Sequence, residues 1–157
     1  MPGRAPLRPS PAPGGRTASH QLRRTQVVPG DLATVFAFFK DPRNLEAITP
    51  PWLRFRVVEA TDDVVRAGTR IRYRLSLFGV PFGWTSRIAE YHENAGFADE
   101  QLRGPYRRWY HQHRFRAAPG GVEIEDVVDY ELPLGILGRL AHALLVRHQL
   151  AAIFRHR

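Results

Sequence analysis

The 157-residue sequence contains no cysteine. That excludes disulfides, thiolate metal sites and cysteine nucleophiles, and it fits a cytoplasmic location. No apolar run approaches the ~20 residues that a membrane-spanning helix needs, and the basic amino terminus lacks the apolar core of a secretory signal. A Gly-rich phosphate loop and a serine in a nucleophile-elbow motif are also missing, which removes two common enzyme signatures. Acidic residues are absent from one place: residues 1–24 hold five arginines (Arg4, Arg8, Arg16, Arg23, Arg24) and no carboxylate. Much of the net charge of +8 therefore sits in that stretch, and the remaining 18 basic residues face 15 acidic ones. A basic tail on a nearly balanced domain is a poor nucleic-acid signature, so no specific nucleic-acid partner is expected.

What is present reads as one domain. Residues 1–18, rich in Pro, Gly and Arg, are expected to be a disordered basic tail. Residues 19–157 are expected to form a single domain, long enough for a real core and too short for two. A strand is expected over His20–Val28. Asp31 is an N-cap before a short helix whose Leu32, Val35, Phe36 and Phe39 share a face. Asp41-Pro42 repeats the device, and Thr49-Pro50-Pro51 stops the second helix. The period then changes to two. Ile71, Tyr73, Leu75 and Leu77 alternate with arginines and a serine, and Phe82, Trp84, Ser86 and Ile88 continue the inner face. Trp109, His111, His113 and Phe115 alternate with polar residues, as do Ile124, Asp126, Val128, Tyr130 and Leu132. Six strands in sequential hairpins cannot make a parallel sheet. The expected class is α+β: a curved antiparallel sheet of about seven strands, two short helices after the first strand, and a long helix from Pro133 to the terminus. One face of that helix carries Leu137, Leu140, Ala141, Leu144, Leu145, Ala151 and Ala152 with His148 among them. A second apolar face carries Val146, Leu150 and Ile153 and has no evident partner.

Three strings, VFAFFKDPRNLEAITPPWLRFRV (35–57), GTRIRYRLSLFGVPFGWTSRI (68–88) and FADEQLRGPYRRWYHQHRF (97–115), resemble the START/polyketide-cyclase-like superfamily of helix-grip proteins, SRPBCC. The resemblance spans about residues 20–157. It implies a hydrophobic cavity between sheet and terminal helix, holding a lipid, polyketide, quinone or similar apolar molecule. No catalytic motif of the family transfers residue by residue.

The inward-facing positions supply the candidate site. A two-residue loop at Pro119-Gly120 sets His113 opposite Asp126 and Trp109 opposite Tyr130, with a register shifted by two as the alternative. A similar count at Gly104-Pro105 sets Glu100 beside Trp109 and diagonal to His111. The expected ligand-binding residues are Phe36, Phe39, Trp52, Tyr73, Leu75, Trp84, Ser86, Glu100, Trp109, His111, His113, Asp126, Val128, Tyr130, Leu144 and His148. His111, His113, Asp126 and Glu100 admit three readings: polar groups satisfying one another, groups orienting a ligand's polar head, or acid–base groups of a cyclase or dehydratase. His111-x-His113 alone is a weak metal signal, and neither metal nor cofactor is expected. The leading expectation is a carrier or sensor of a small hydrophobic molecule, monomeric or homodimeric. The alternatives are a cyclase-type enzyme and an accessory module that touches a protein or a membrane surface through the basic tail and the helix.

Overall fold

The computed structural model describes residues 7–8, 19–77, 79–133 and 147–156. Seven strands form one antiparallel sheet: β1 (Ser19–Val28), β2 (Arg56–Ala60), β3 (Arg70–Leu77), β4 (Val80–His92), β5 (Gly96–Arg103), β6 (Arg108–Ala118) and β7 (Gly121–Glu131). Their order across the sheet is β1-β7-β6-β5-β4-β3-β2, so β2 to β7 are neighbours in sequence and β1 closes on the last strand. Helices α1 (Leu32–Phe39) and α2 (Leu45–Ile48) lie between β1 and β2, and α3 (Arg147–His156) is the last described element. This is the expected α+β helix-grip architecture. Residues 134–146, including Leu137, Leu140 and Leu144 of the expected stripe, lie outside the described residues. Among the described residues no helix is long and apolar enough to cross a membrane.

Local chemistry explains the short elements. The Asp31 carboxylate accepts from the Thr34 backbone N–H at 3.0 Å, and the Thr34 hydroxyl adds a second bond at 2.7 Å. The first turn of α1 is therefore capped as the sequence predicts. Asp41 caps Arg43 N–H at 3.0 Å with Pro42 in the first helical position. The result is a 3₁₀ turn over Pro42–Asn44 that leads into α2. A second 3₁₀ turn, Pro51–Leu53, ends on Arg54 with φ of 48°. Leu53 is buried and Trp52 beside it is 55% exposed.

Two hairpin turns fix the register of the site. Ala118 pairs with Gly121, so Pro119 and Gly120 are a two-residue turn. The φ of +88° at Gly120 suits the second central position of a type II turn, which favours glycine. On the other side, Glu100 pairs with Tyr110 and Asp99 with His111. The inner face of β5 therefore carries Phe97 and Asp99, and Glu100 points outward.

The core has two centres on the concave side. Phe36 of α1 packs against Phe97 and Phe115, and Leu150 and Phe154 of α3 pack with Trp84, Trp109, Val128 and Tyr130. The outer face is not wholly wet, as alternation predicts. Ala98, Gln112 and Val127 form a buried row across β5, β6 and β7. Leu7 lies against this face, with its Cδ1 3.1 Å from the place a β-carbon would take at Gly96. Arg8 N–H donates to both carboxylate oxygens of Glu90, at 3.3 and 3.2 Å.

Candidate functional site

A cavity of about 180 Å³ lies between the sheet, the α1–α2 segment and α3. One water needs roughly 10–15 Å³ on the same measure, so the space takes a molecule of many atoms. Its wall is mostly apolar: Leu45, Ile48, Phe55, Ile71, Leu75, Ile88, Trp109 and Ile153 are among the lining residues. Two polar nodes interrupt that wall.

The smaller node joins β3 and β4. Ser86 Oγ accepts from the Trp84 indole N–H at 3.1 Å and stands 3.0 Å from the Tyr73 hydroxyl. Residues 84 and 86 are two apart on one strand and Tyr73 pairs directly with Trp84, so sheet geometry alone brings the three together.

The larger node spans three strands. His111 and His113 sit two apart on β6, with Asp99 opposite His111 on β5 and Asp126 opposite His113 on β7. The imidazoles lie 3.7 Å apart, centroid to centroid. The shortest bonds run diagonally: His111 Nε2 to Asp126 Oδ1 at 2.8 Å and His113 Nε2 to Asp99 Oδ1 at 2.7 Å. His113 Nδ1 also stands 3.2 Å from Asp126 Oδ1, and His111 Nδ1 is 3.9 Å from Asp99 Oδ1. His111, His113 and Asp126 are buried and Asp99 is half-buried. Phe97 stacks on His113 at 4.4 Å, and Phe154 of α3 meets His111 edge-on at 5.3 Å.

Those distances assign the protons. A nitrogen facing an ionised carboxylate at hydrogen-bond distance carries hydrogen, because two lone pairs repel. His113 has such a contact at both nitrogens, the arrangement that favours the imidazolium. His111 has one, at Nε2, so it is the neutral Nε2–H tautomer with a lone pair on Nδ1. The energetics agree. Burial alone would lower both histidines, since the charged form loses its water. In His111 burial dominates, reinforced by the His113 charge, and its pKa is lowered. In His113 the hydrogen bonds to Asp126 and Asp99 outweigh burial, and its pKa is raised. Burial pushes Asp126 up, but the bonds from both histidines overcome it and hold its carboxyl below the usual range. The cluster thus presents a neutral, carboxylate-oriented imidazole beside a charged one, at the wall of a mostly apolar cavity.

A family model described as "Polyketide cyclase / dehydrase and lipid transport" matches residues 28–154. The chain belongs to this family. No curated protein matches it. Solved structures give the same fold at low identity. The di-domain ARO/CYC StfQ from the steffimycin biosynthetic pathway superposes with a TM-score of 0.68 at 14% identity, over 88% of this chain and 47% of that one. The protein TTHA0849 from Thermus thermophilus gives 0.62 at 20% identity over 87% and 93% of the two chains. Ginseng major latex-like protein 151 from Panax ginseng gives 0.58 at 14% identity over 85% and 96%.

Within this helix-grip frame, eight of the expected positions line the cavity: Phe39, Tyr73, Leu75, Trp84, Ser86, Trp109, His111 and His113. Asp126 stands behind the histidines and reaches the cavity only through them. Phe36, Val128 and Tyr130 are fully packed in the two core centres and do not line the cavity. Trp52 is exposed, because Leu53 takes the inward place in its turn. Glu100 is on the outer face and pairs with Arg87. Four residues, 104–107, separate β5 from β6, and the slip of one residue turns the side chain over. His148 is exposed. It lies about 200° around the helix from Leu150, at 100° per residue. Leu144 lies outside the described residues.

Four residues that sequence reasoning left out matter most. Asp99 takes the place given to Glu100. Tyr106 enters the aromatic wall from the loop, seated by Gln101, whose side chain donates to Tyr106 O at 2.7 Å and accepts from Tyr106 N–H at 3.2 Å. Leu150 and Ile153 line the cavity. They belong to the helix face that lacked a partner in the sequence, so in α3 that face is the inner one. Their i, i+3 spacing was the available signal, and the choice between two apolar faces was not decidable from it.

Proposed function

We propose that the protein binds a compact, mostly apolar molecule bearing one or two polar groups, in the cavity between the sheet and α3. The observation that carries this reading is a mostly apolar, aromatic-walled space with two polar nodes on its sheet wall, the pattern of a ligand pocket rather than of a core. The node at Ser86 and Tyr73 suits a hydroxyl or carbonyl, and the histidine–aspartate cluster suits a second polar group some way along the same molecule. Walls of Trp84, Tyr106 and Trp109 favour rings over a single acyl chain. The absence of cysteine is consistent with a cytoplasmic setting for a carrier or sensor of this kind. Native mass spectrometry of freshly purified protein, followed by solvent extraction, tests it. A co-purifying apolar compound, or stoichiometric uptake of an added one, is expected. Empty protein that also refuses lipophilic probes overturns it.

One observation favours a catalytic version. His111 is a neutral imidazole whose Nε2–H is held by Asp126 at 2.8 Å, the arrangement that orients a general base. Beside it the His113 imidazolium can donate. Such a pair suits proton abstraction next to a carbonyl and loss of water, the steps of a cyclisation–dehydration. Incubation with a β-polyketone thioester analogue tests this version. Turnover lost in His111→Ala supports it, and no product with intact protein removes it.

A further inference from the structure

The histidine–aspartate cluster has a geometry that hydrogen bonding alone does not require. We propose that Asp99, His111 and His113 form a three-ligand site for a divalent first-row transition metal, Zn²⁺ or Fe²⁺, with Asp126 as the carboxylate that orients both imidazoles. One donor atom from each of the three residues comes within 4.8 Å of the others. His111 Nδ1 and His113 Nε2 stand 3.9 and 2.7 Å from Asp99 Oδ1. Ligands on a tetrahedral zinc, with bonds of about 2.0–2.2 Å, stand about 3.3 Å apart. The two distances to Asp99 each need a shift of roughly 0.6 Å, and the two imidazole nitrogens, within 4.8 Å of each other, need to close by up to about 1.5 Å to meet on one ion.

The remaining nitrogens strengthen the assignment. His111 Nε2–H and His113 Nδ1–H both face Asp126 Oδ1, at 2.8 and 3.2 Å. A metal-bound histidine almost always gives its other N–H to a carboxylate or carbonyl, which fixes the tautomer and turns the lone pair toward the ion. Here one aspartate does this for two histidines at once. The bond from His111 Nε2 to Asp126 leaves Nδ1 of that ring on the Asp99 side, 3.9 Å from Asp99 Oδ1.

Asp99, His111 and His113 all line the cavity, and Asp126 does not. The ion would thus keep coordination positions open toward the lumen, as ions that bind substrate or water do, unlike closed four-ligand structural sites. Two imidazoles and a carboxylate, with no sulfur donor, suit Zn²⁺, Fe²⁺, Mn²⁺ or Co²⁺ and disfavour Cu⁺. The third ligand is invisible to a count along the sequence, because the register that brings Asp99 inward places Glu100 outside.

The test uses tag-free full-length protein, stripped with chelator and titrated with Zn²⁺ alone and with Co²⁺ alone. One equivalent is expected to bind, with intense visible bands for a low-coordinate Co²⁺. Histidine-selective ¹⁵N NMR should show perturbation at His111 Nδ1 and His113 Nε2, which identifies the ligands without any substitution. His113→Ala and Asp99→Asn should abolish stoichiometric uptake, and Asp126→Asn should weaken it by about 10–100-fold. His148→Ala should leave it unchanged. No stoichiometric uptake by the intact protein, or uptake that perturbs only exposed histidines, overturns the proposal. The ligand reading stands apart, because lipophile binding by stripped protein is scored separately. Lipophile binding together with no stoichiometric metal uptake removes the metal site alone.

Discussion

Asp126 is a buried charge held by two histidines, so removing that charge alone is a sharp perturbation of the fold. It is 4% exposed and accepts from both histidines. Asp126→Asn keeps the shape and removes the charge. Each hydrogen bond to a charged group contributes about 1.5–3 kcal/mol, and breaking a buried pair by removing one partner costs about 3–5 kcal/mol. The metal-free variant should therefore lose about 3–5 kcal/mol. At a urea slope of about 1–3 kcal/mol per molar, its unfolding midpoint should fall by about 1 M or more. The pH dependence of that gap follows from the shifts. Asp126 is depressed in the folded state, so its stabilisation is complete above its unfolded value of about 3.9 and is lost as pH falls below it. His113 is raised, so its part is complete below the unfolded value of about 6.5 and is lost as pH rises through its folded value. His111 is lowered and subtracts stability below about pH 6.5, where the unfolded chain takes up its proton. Burial, the main cause of that shift, is the same in the variant, so it largely cancels. The difference between wild type and variant should thus be greatest from about pH 4 to 6.5 and shrink on both sides. Urea titrations at about pH 3.5, 5.5 and 8.5 measure it, one inside that window and one on each side. A loss under about 1 kcal/mol, or a gap that grows steadily with pH, refutes the assigned proton positions.

Other expectations follow from single residues. Ser86→Ala leaves the Trp84 indole N–H buried without its acceptor, and chemical denaturation should show a loss of about 1–3 kcal/mol. Asp31→Ala removes the α1 cap and should cost about 1 kcal/mol, with lipophile binding unchanged in a fluorescence titration. Ile71→Trp fills the cavity from β3; overpacking costs about 1–3 kcal/mol, and probe affinity should fall at least tenfold. His148→Ala and Glu100→Gln lie outside the cavity, and each should alter stability by less than about 0.5 kcal/mol.

The sequence was most legible where its period was strict and its turns were short. Alternation over β3, β6 and β7 identified which residues face the core, and the Pro119-Gly120 turn set His113 against Asp126 correctly. It was least legible where a loop had no fixed length. Gly104-Pro105 looks like a two-residue turn, yet Gln101 hooks Tyr106 and holds a four-residue loop. The register moved by one, and Asp99 replaced Glu100. In the terminal helix the difficulty was different. Two apolar faces compete, and only the aromatic residues at Trp84, Trp109 and Tyr130 show that Leu150 and Phe154 are the inner pair. Burial of Ala98, Gln112 and Val127 on the outer face could not be read from alternation either, because a period of two says only which residues share a face and not what covers it.

The central claim is that the space beside Trp84 and Trp109 receives a small apolar molecule. Quenching of tryptophan fluorescence by 6-bromo-2-naphthol tests it directly, in protein carrying Trp52→Phe so that the exposed indole is gone. Heavy-atom quenching needs near contact, so it reports entry into the cavity. Saturable quenching at one equivalent, much weaker in Ile71→Trp protein, is the predicted result. Quenching that rises linearly with concentration and ignores the Ile71 substitution would contradict the account.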